Sequence, residues 1–206
     1  MRLVARLRQN KLVELIVTVV FAAGLAFCVQ AYAVKPYKIP SASMEPTLRD
    51  GDRVLVDRIP HETGALPTVG QIVVFNPPVG AEASPAPSCG QPRGPTSACP
   101  QSVPRRSTSV TFIKRVVAVA GDRISIRRGH VVRNGVGETD PYIAPCNGGP
   151  ACELHQTITI PKGEVFLMGD NRGNSDDSRY WGPIPTSWVI GDAFVIYWPP
   201  ARIGLP

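Results

Sequence analysis

The sequence predicts a mostly β domain, exported across a membrane and tethered by one N-terminal transmembrane helix. Three observations predict it. A basic N-terminus runs into a nearly unbroken apolar stretch from Leu12 to Val34. Beyond Tyr37 the apolar residues come in short runs cut by Gly and Pro, without a convincing helical period. Four of the five cysteines lie in this later part, as an exported domain would have them.

The apolar stretch, LVELIVTVVFAAGLAFCVQAYAV, has Glu14 near one end and Gln30 near the other. As a helix rising about 1.5 Å per residue it would be roughly 34 Å long, enough for a bilayer core of about 30 Å. Arg2, Arg6, Arg8 and Lys11 precede it. That charge predicts a cytoplasmic N-terminus, with everything after Lys35 outside. The segment also resembles a cleavable signal peptide ending in Ala31-Tyr32-Ala33, but its length favours an uncleaved anchor. The expected organisation is a cytoplasmic tail over 1–11, an anchor over 12–34 and an exported domain over 35–206.

In the exported part, Arg53 to Arg58 and Gln71 to Phe75 read as short strands. Thr111 to Val119 is a longer run rich in β-branched residues, and the Gly121-Asp122 turn leads to Arg123–Arg127, which alternates with period two. Val131 to Arg133 meets Asn134-Gly135, a hairpin signal. Thr157 to Ile160, Val165 to Met168 and Ala193 to Trp198 complete the predicted strands. Residues 76–109 are rich in Pro, Ser, Ala and Gly and read as a long surface loop; Asp140 to Pro150 reads as a second. Local pairing, Cys89–Cys99 and Cys146–Cys152, is the simplest of three disulfide connectivities. A zinc site is the alternative, though no Cys-x-x-Cys pair is present.

Of the 206 residues 43% are hydrophobic, enough for a core, and the formal charge is +6. Four of the basic residues flank the apolar stretch and the rest mix with acids, so no nucleic-acid footprint is expected. Only five lysines occur: Lys11, Lys35, Lys38, Lys114 and Lys162. Because arginine stays protonated, few residues could serve as a lysine base.

Three segments carry candidate chemistry. Ile39 to Leu48 places Ser41 and Ser43 between prolines that restrict the backbone. A serine nucleophile needs a base. His61, His130 and His155 all lie in polar or turn-like sequence, and nothing points to a Ser-His-Asp triad. Lys114 lies inside an apolar strand beside Arg115. Facing a core, its amine would lose solvation, its pKa would fall, and the neutral form could take a serine proton. Both faces of that strand are apolar, so alternation leaves open whether Lys114 or Arg115 points inward. The third segment, Gly169 to Gly182, is a dense polar loop after an apolar strand. It fails the EF-hand spacing and reads instead as a hydrogen-bonded scaffold.

Together and in this order, these segments resemble bacterial type I signal peptidases. Ser41-x-Ser43-Met44-x-Pro46-Thr47-Leu48 is similar to the family's nucleophile box, and Gly51-Asp52-x-Val54-x-Val56 to the box that follows. Phe112-Ile113-Lys114-Arg115-Val116-Val117, ending in Gly121-Asp122, is similar to the lysine box. Gly169-Asp170-Asn171-Arg172-x-Asn174-Ser175-x-Asp177-Ser178-Arg179-Tyr180-Trp181-Gly182 matches the last box almost throughout, leaving residues 173 and 176 unspecified. Departures are Arg58 for a frequent Lys, and Ala118 and Ala120 where Gly and Pro are common.

The resemblance implies a mostly β, barrel-like catalytic core with one N-terminal transmembrane helix. Residues 76–109 would be an insertion and 127–161 a reduced second β subdomain. By position, Ser43 would be the nucleophile and Lys114 the general base, facing inward. Ser41 would join the Ser43 N–H in the oxyanion hole, Ser175 would orient Lys114, and Asp177 would pair with Arg179. The implied enzyme is a serine endopeptidase cutting secretory preproteins after small residues, Ala-x-Ala in type, through a Ser-Lys dyad and an acyl-enzyme. The implied partners are preproteins and the lipid bilayer, with a monomeric chain and no metal or organic cofactor. Two other readings remain: an anchored, non-catalytic β module binding partners through its Pro-rich loop, and a Ser-Lys protease with another substrate.

Overall fold

The computed structural model describes residues 11–28, 33–81, 96–101 and 106–206. It is mostly β. Seven strands form the main sheet: β1 (Val34–Lys38), β2 (Arg53–Asp57), β3 (Ile72–Phe75), β4 (Phe112–Val119), β9 (Glu164–Met168), β10 (Ile184–Pro185) and β11 (Val189–Trp198). Their spatial order is β1-β2-β11-β3-β4-β9-β10, with antiparallel pairing throughout. A second sheet contains β5 (Arg123–Arg127), β6 (His130–Arg133), β7 (Val136–Gly137) and β8 (Leu154–Thr159), in the order β7-β6-β5-β8.

Burial follows from the sequence pattern. The continuous apolar runs of β3 and β9 are buried at every residue, as strands covered on both faces must be. β2 alternates, with Val54 and Val56 buried and Arg53 exposed. On one face of the main sheet Ile39, Met44, Leu48, Val54, Val56, Ile72, Val74 and Ile113 form a core. Val73, Phe75, Val116, Val165, Leu167 and Trp181 form another. The third joins the two sheets: Val117, Ala118, Phe166 and Met168 pack with Ile124, Ile126, Val131, Leu154 and Ile158. Bulges interrupt the β11–β2, β11–β3 and β4–β9 ladders, each adding local twist. The sheet curls so far that β1 and the loop leaving β9, nearly at opposite ends of the strand order, wall the same cleft.

The predicted strands are all present, with shifted ends. The strand expected from Thr157 starts at Leu154, and the one expected from Ala193 starts at Val189. β1 and β10 were not anticipated, being short or fused in sequence to the apolar stretch, while β7 is the return arm of the hairpin signalled by Asn134-Gly135. No helical period was found after Tyr37, and the structure adds two single-turn helices there, α2 (Ile59–Glu62) and α3 (Ser178–Trp181). One turn is too short to display a period. Cys146 and Cys152 form a disulfide, which removes both thiols from the zinc alternative. Cys89 lies outside the described residues, and the pairing expected for it with Cys99 lies there too.

At the N-terminus, α1 (Lys11–Cys28) has 18 residues. Among the described residues, no helix is long and apolar enough to cross a membrane. The expected anchor also includes residues 29–32, which lie outside the described part. Leu12, Leu15, Ile16, Val17, Val19, Val20 and Phe21 are all exposed.

Phe166 is fully buried where the two sheets meet. Phe166→Ala is expected to lower unfolding free energy by about 3–5 kcal/mol, from lost burial plus the cavity left behind. A urea titration measures it.

Candidate active site

Ser43 sits in a single 3₁₀ turn, Ala42–Met44, between β1 and β2. The turn is fixed by its neighbours. Met44 is fully buried in the core formed with Ile39 and Leu48. Ile39 N–H donates to Asp52 O at 2.8 Å, and Gly51 N–H donates to Ile39 O at 2.9 Å. Asp52 is buried and receives Arg202, whose Nη2 also donates to Thr47 O at 2.9 Å. Ser43 itself is left partly exposed at the floor of the cleft.

Lys114 reaches this turn from β4. Its Nζ lies 2.6 Å from Ser43 Oγ, and the residue is only 4% exposed. Phe112 packs under the amine, its ring centroid 5.7 Å from Nζ. Burial is the main cause that lowers the Lys114 pKa to about 8. Asp177, Asp176 and Asp170 oppose that shift, and Arg179 assists it. Ser41 Oγ is 3.3 Å from Ser43 Oγ and exposed to the cleft.

The loop after β9 holds the remaining groups. Asn171 clamps the serine turn, with its N–H donating to Ser43 O at 3.1 Å and its Nδ2 to Ala42 O at 3.0 Å. Asp177 accepts from Gly169 N–H, Ser175 Oγ, and Arg179 N–H, Nε and Nη2, all at 2.8–3.2 Å. It also caps α3. Burial would raise the Asp177 pKa, but the Arg179 charge and these hydrogen bonds outweigh it and lower the value. Arg179 is 1% exposed and also donates to Arg172 O and Ser175 O, spanning the loop.

The predicted residues therefore converge. Ser41, Ser43, Lys114 and Ser175 line one cleft of about 460 Å³, with Asp177 and Arg179 paired behind it. Ser175 was expected to orient Lys114. Its hydroxyl instead donates to Asp177 Oδ2 at 2.8 Å, and no hydrogen bond to Lys114 is formed among the described residues. The choice between Lys114 and Arg115 turns out to be no choice: they lie on opposite faces of β4 and both are buried.

Arg115 is part of a second network that the sequence reading missed. It makes a bidentate pair with Asp170 at 2.7 and 2.9 Å, and its Nη1 donates to Gly70 O at 2.8 Å. Thr47 Oγ1 donates to Asp170 Oδ2 at 2.5 Å, and Tyr142 lies against the guanidinium, 4.0 Å from its carbon. This joins β4, the serine segment and the loop after β9. A signal was available: a buried arginine needs a carboxylate, and Asp170 was already in the last box. Also missed was Gly169. A β-carbon there would lie 2.4 Å from Ser43 O and 2.3 Å from Ser175 Oγ, so only glycine lets the loop approach the serine turn.

Residues 12–198 match the family model described as signal peptidase, peptidase S26. A probable signal peptidase I-2 of Synechocystis sp. is 34% identical over 197 residues, covering 96% of this chain and 78% of that protein. A probable signal peptidase I-1 of the same organism is 34% identical over 185 residues, covering 89% and 81%. The signal peptidase I of Mycobacterium tuberculosis is 32% identical over 242 aligned residues, covering 96% and 76%.

Gly169→Ala is expected to cost about 100-fold in turnover, because displacing reacting groups by about 1 Å costs that much. Near-UV circular dichroism, run beside the activity assay, should show the core intact.

Proposed function

Since the chain belongs to the signal peptidase family, peptidase S26, and is a serine endopeptidase that removes signal peptides, we propose that it works through a Ser43–Lys114 dyad. The observation that carries this is the 2.6 Å approach of a buried lysine amine to Ser43 Oγ. With a pKa of about 8, a useful fraction of Lys114 is neutral near physiological pH.

In the first step neutral Lys114 accepts the Ser43 hydroxyl proton as Oγ attacks the scissile carbonyl. The Ser41 hydroxyl and the Ser43 N–H stabilise the developing oxyanion. The Lys114 ammonium then returns the proton to the departing amine, leaving the signal peptide as an ester on Ser43. Lys114 next activates a water, which hydrolyses that ester and restores the serine. Asp177 and Arg179 hold the loop carrying Ser175 against the lysine. Arg115 and Asp170 tie β4 to the same loop.

The substrates are secretory preproteins cut after small residues of the Ala-x-Ala type. They bind extended in the cleft between Tyr37–Ser43 and Thr111–Lys114. The chain acts as a monomer anchored once in the cell membrane, its N-terminus cytoplasmic and its catalytic domain outside. Two features support the anchor. α1 exposes apolar residues around its whole circumference, which water would not tolerate in isolation. Basic residues cluster before it.

The direct test is cleavage of a preprotein whose signal ends in Ala-x-Ala, with product masses read for wild type, Ser43→Ala and Lys114→Arg. Wild type should cut after the motif, and both variants should be inert while remaining folded, since arginine cannot give up its proton. Below pH 8, kcat/KM should fall about tenfold per pH unit as Lys114 protonates. A rate flat between about pH 5 and 9 would exclude Lys114 as the base. Activity in Ser43→Ala would reassign the nucleophile.

A further inference from the structure

The last sequence box leaves residue 176 unspecified, so the aspartate there belongs to this chain rather than to the pattern. Three carboxylates act on the Lys114 amine: Asp170, Asp176 and Asp177. Two of them are consumed. Asp170 is fully buried and bound by Arg115 and Thr47. Asp177 is fully buried and accepts from Arg179, Ser175 and Gly169. Arg179, the cation facing the same amine, is itself buried in its pair with Asp177. Asp176 differs on every count. It is exposed, lines the cleft and enters no ion pair among the described residues.

The proposed chemistry says which part of a substrate meets it. The acyl portion stays on Ser43 Oγ, near Ser41 and the strand leading in from β1. The departing amine must take its proton from Lys114 Nζ, so it leaves through the space around that nitrogen. Residues 173–176 line the same cleft, on the loop that carries Ser175, and Asp176 is near enough to act on the Lys114 amine. Among the described residues, the cleft's other charged group besides Lys114 and Asp176 is Lys38, which lies on β1 before Ser43.

We propose that Asp176 is a specificity-determining residue that reads the charge of the first residues after the cut, favouring basic and disfavouring acidic side chains. This rests on the dyad reading above. In extended chain each residue advances about 3.3 Å, so the first two positions after the cut remain within about 7 Å of the reacting centre. That is inside the screening length of about 10 Å at 0.1 M salt. Because the carboxylate is exposed, the effect is modest and salt-dependent.

The experiment uses the full chain in detergent and three preproteins identical except for Lys, Gln or Glu at the second residue after the cut. Wild type should cut them in the order Lys, Gln, Glu, with about a three- to tenfold ratio of kcat/KM between the extremes at low salt. The ratio should shrink at about 0.5 M salt. Asp176→Asn should bring the three within about twofold of one another, and Asp176→Lys should reverse the order. Equal rates in wild type, or the same ratio in wild type and Asp176→Asn, would overturn the assignment. Cleavage of the Gln substrate by Lys114→Arg at the wild-type rate would instead bring down the dyad reading, and this inference with it.

Discussion

The contact between Lys114 Nζ and Ser43 Oγ puts an amine in a buried setting that favours its neutral form, and much of the surrounding structure bears on that balance. Burial alone would drive the amine neutral; nearby carboxylates would recharge it. The fold places three acids close to Lys114 yet compensates two of them with arginines. Asp177 can therefore hold Gly169, Ser175 and the start of α3 in place without delivering its full charge to the lysine. Arg179 is as much a part of tuning Lys114 as of supporting the loop. Such buried pairs are weak sources of net stability, because desolvating two charges offsets most of their attraction. Their value here is geometric.

Geometry is also what the curled sheet supplies. Ser43 follows one edge strand, Lys114 comes from an interior strand, and Ser175 follows the strand next to the opposite edge. No local motif could bring these together. The bulged ladders of β11 and β4 twist the sheet until its ends approach, and the clamp of Asn171 on the serine turn closes the gap. Gly169 sets how near the two segments come. The Asp170–Arg115–Thr47 network then locks three otherwise separate pieces into one wall.

The β character and most strands were legible in the sequence because each leaves a local trace, whereas Ser41, Ser43, Lys114 and Ser175 lay in segments singled out locally but took their expected roles from the resemblance. A run rich in β-branched residues marked β4, and short apolar runs marked β3 and β9. Period-two alternation marked β5, and two serines framed by prolines marked the turn. β10 was not legible, since two residues carry no period. The single-turn helices were invisible for the same reason: Asp177 caps α3, but a cap followed by one turn looks like any polar loop. Least legible was the partnering. Arg115 was seen only as a rival to Lys114, because one-dimensional alternation treats two buried faces as indistinguishable. The Ser175 hydroxyl was assigned to Lys114 from resemblance, whereas its hydrogen bond runs to Asp177.

The shortness of the link between α1 and the serine turn has a consequence for how the enzyme meets its substrates. From Cys28 to Ser43 the chain could span at most about 50 Å if fully extended, and β1 uses part of that length in pairing with β2. If α1 lies in a bilayer, as proposed, Ser43 is held within about 50 Å of the end of that helix, close to the membrane surface. A preprotein held in the same bilayer lies close to that surface too, so encounter becomes a lateral search at a high effective concentration. A weak intrinsic affinity for the peptide then suffices, and it lets the cut product escape. On the proposed anchoring, Michaelis constants obtained with soluble peptides in detergent would accordingly overstate the concentration at which the enzyme is half-saturated at a membrane.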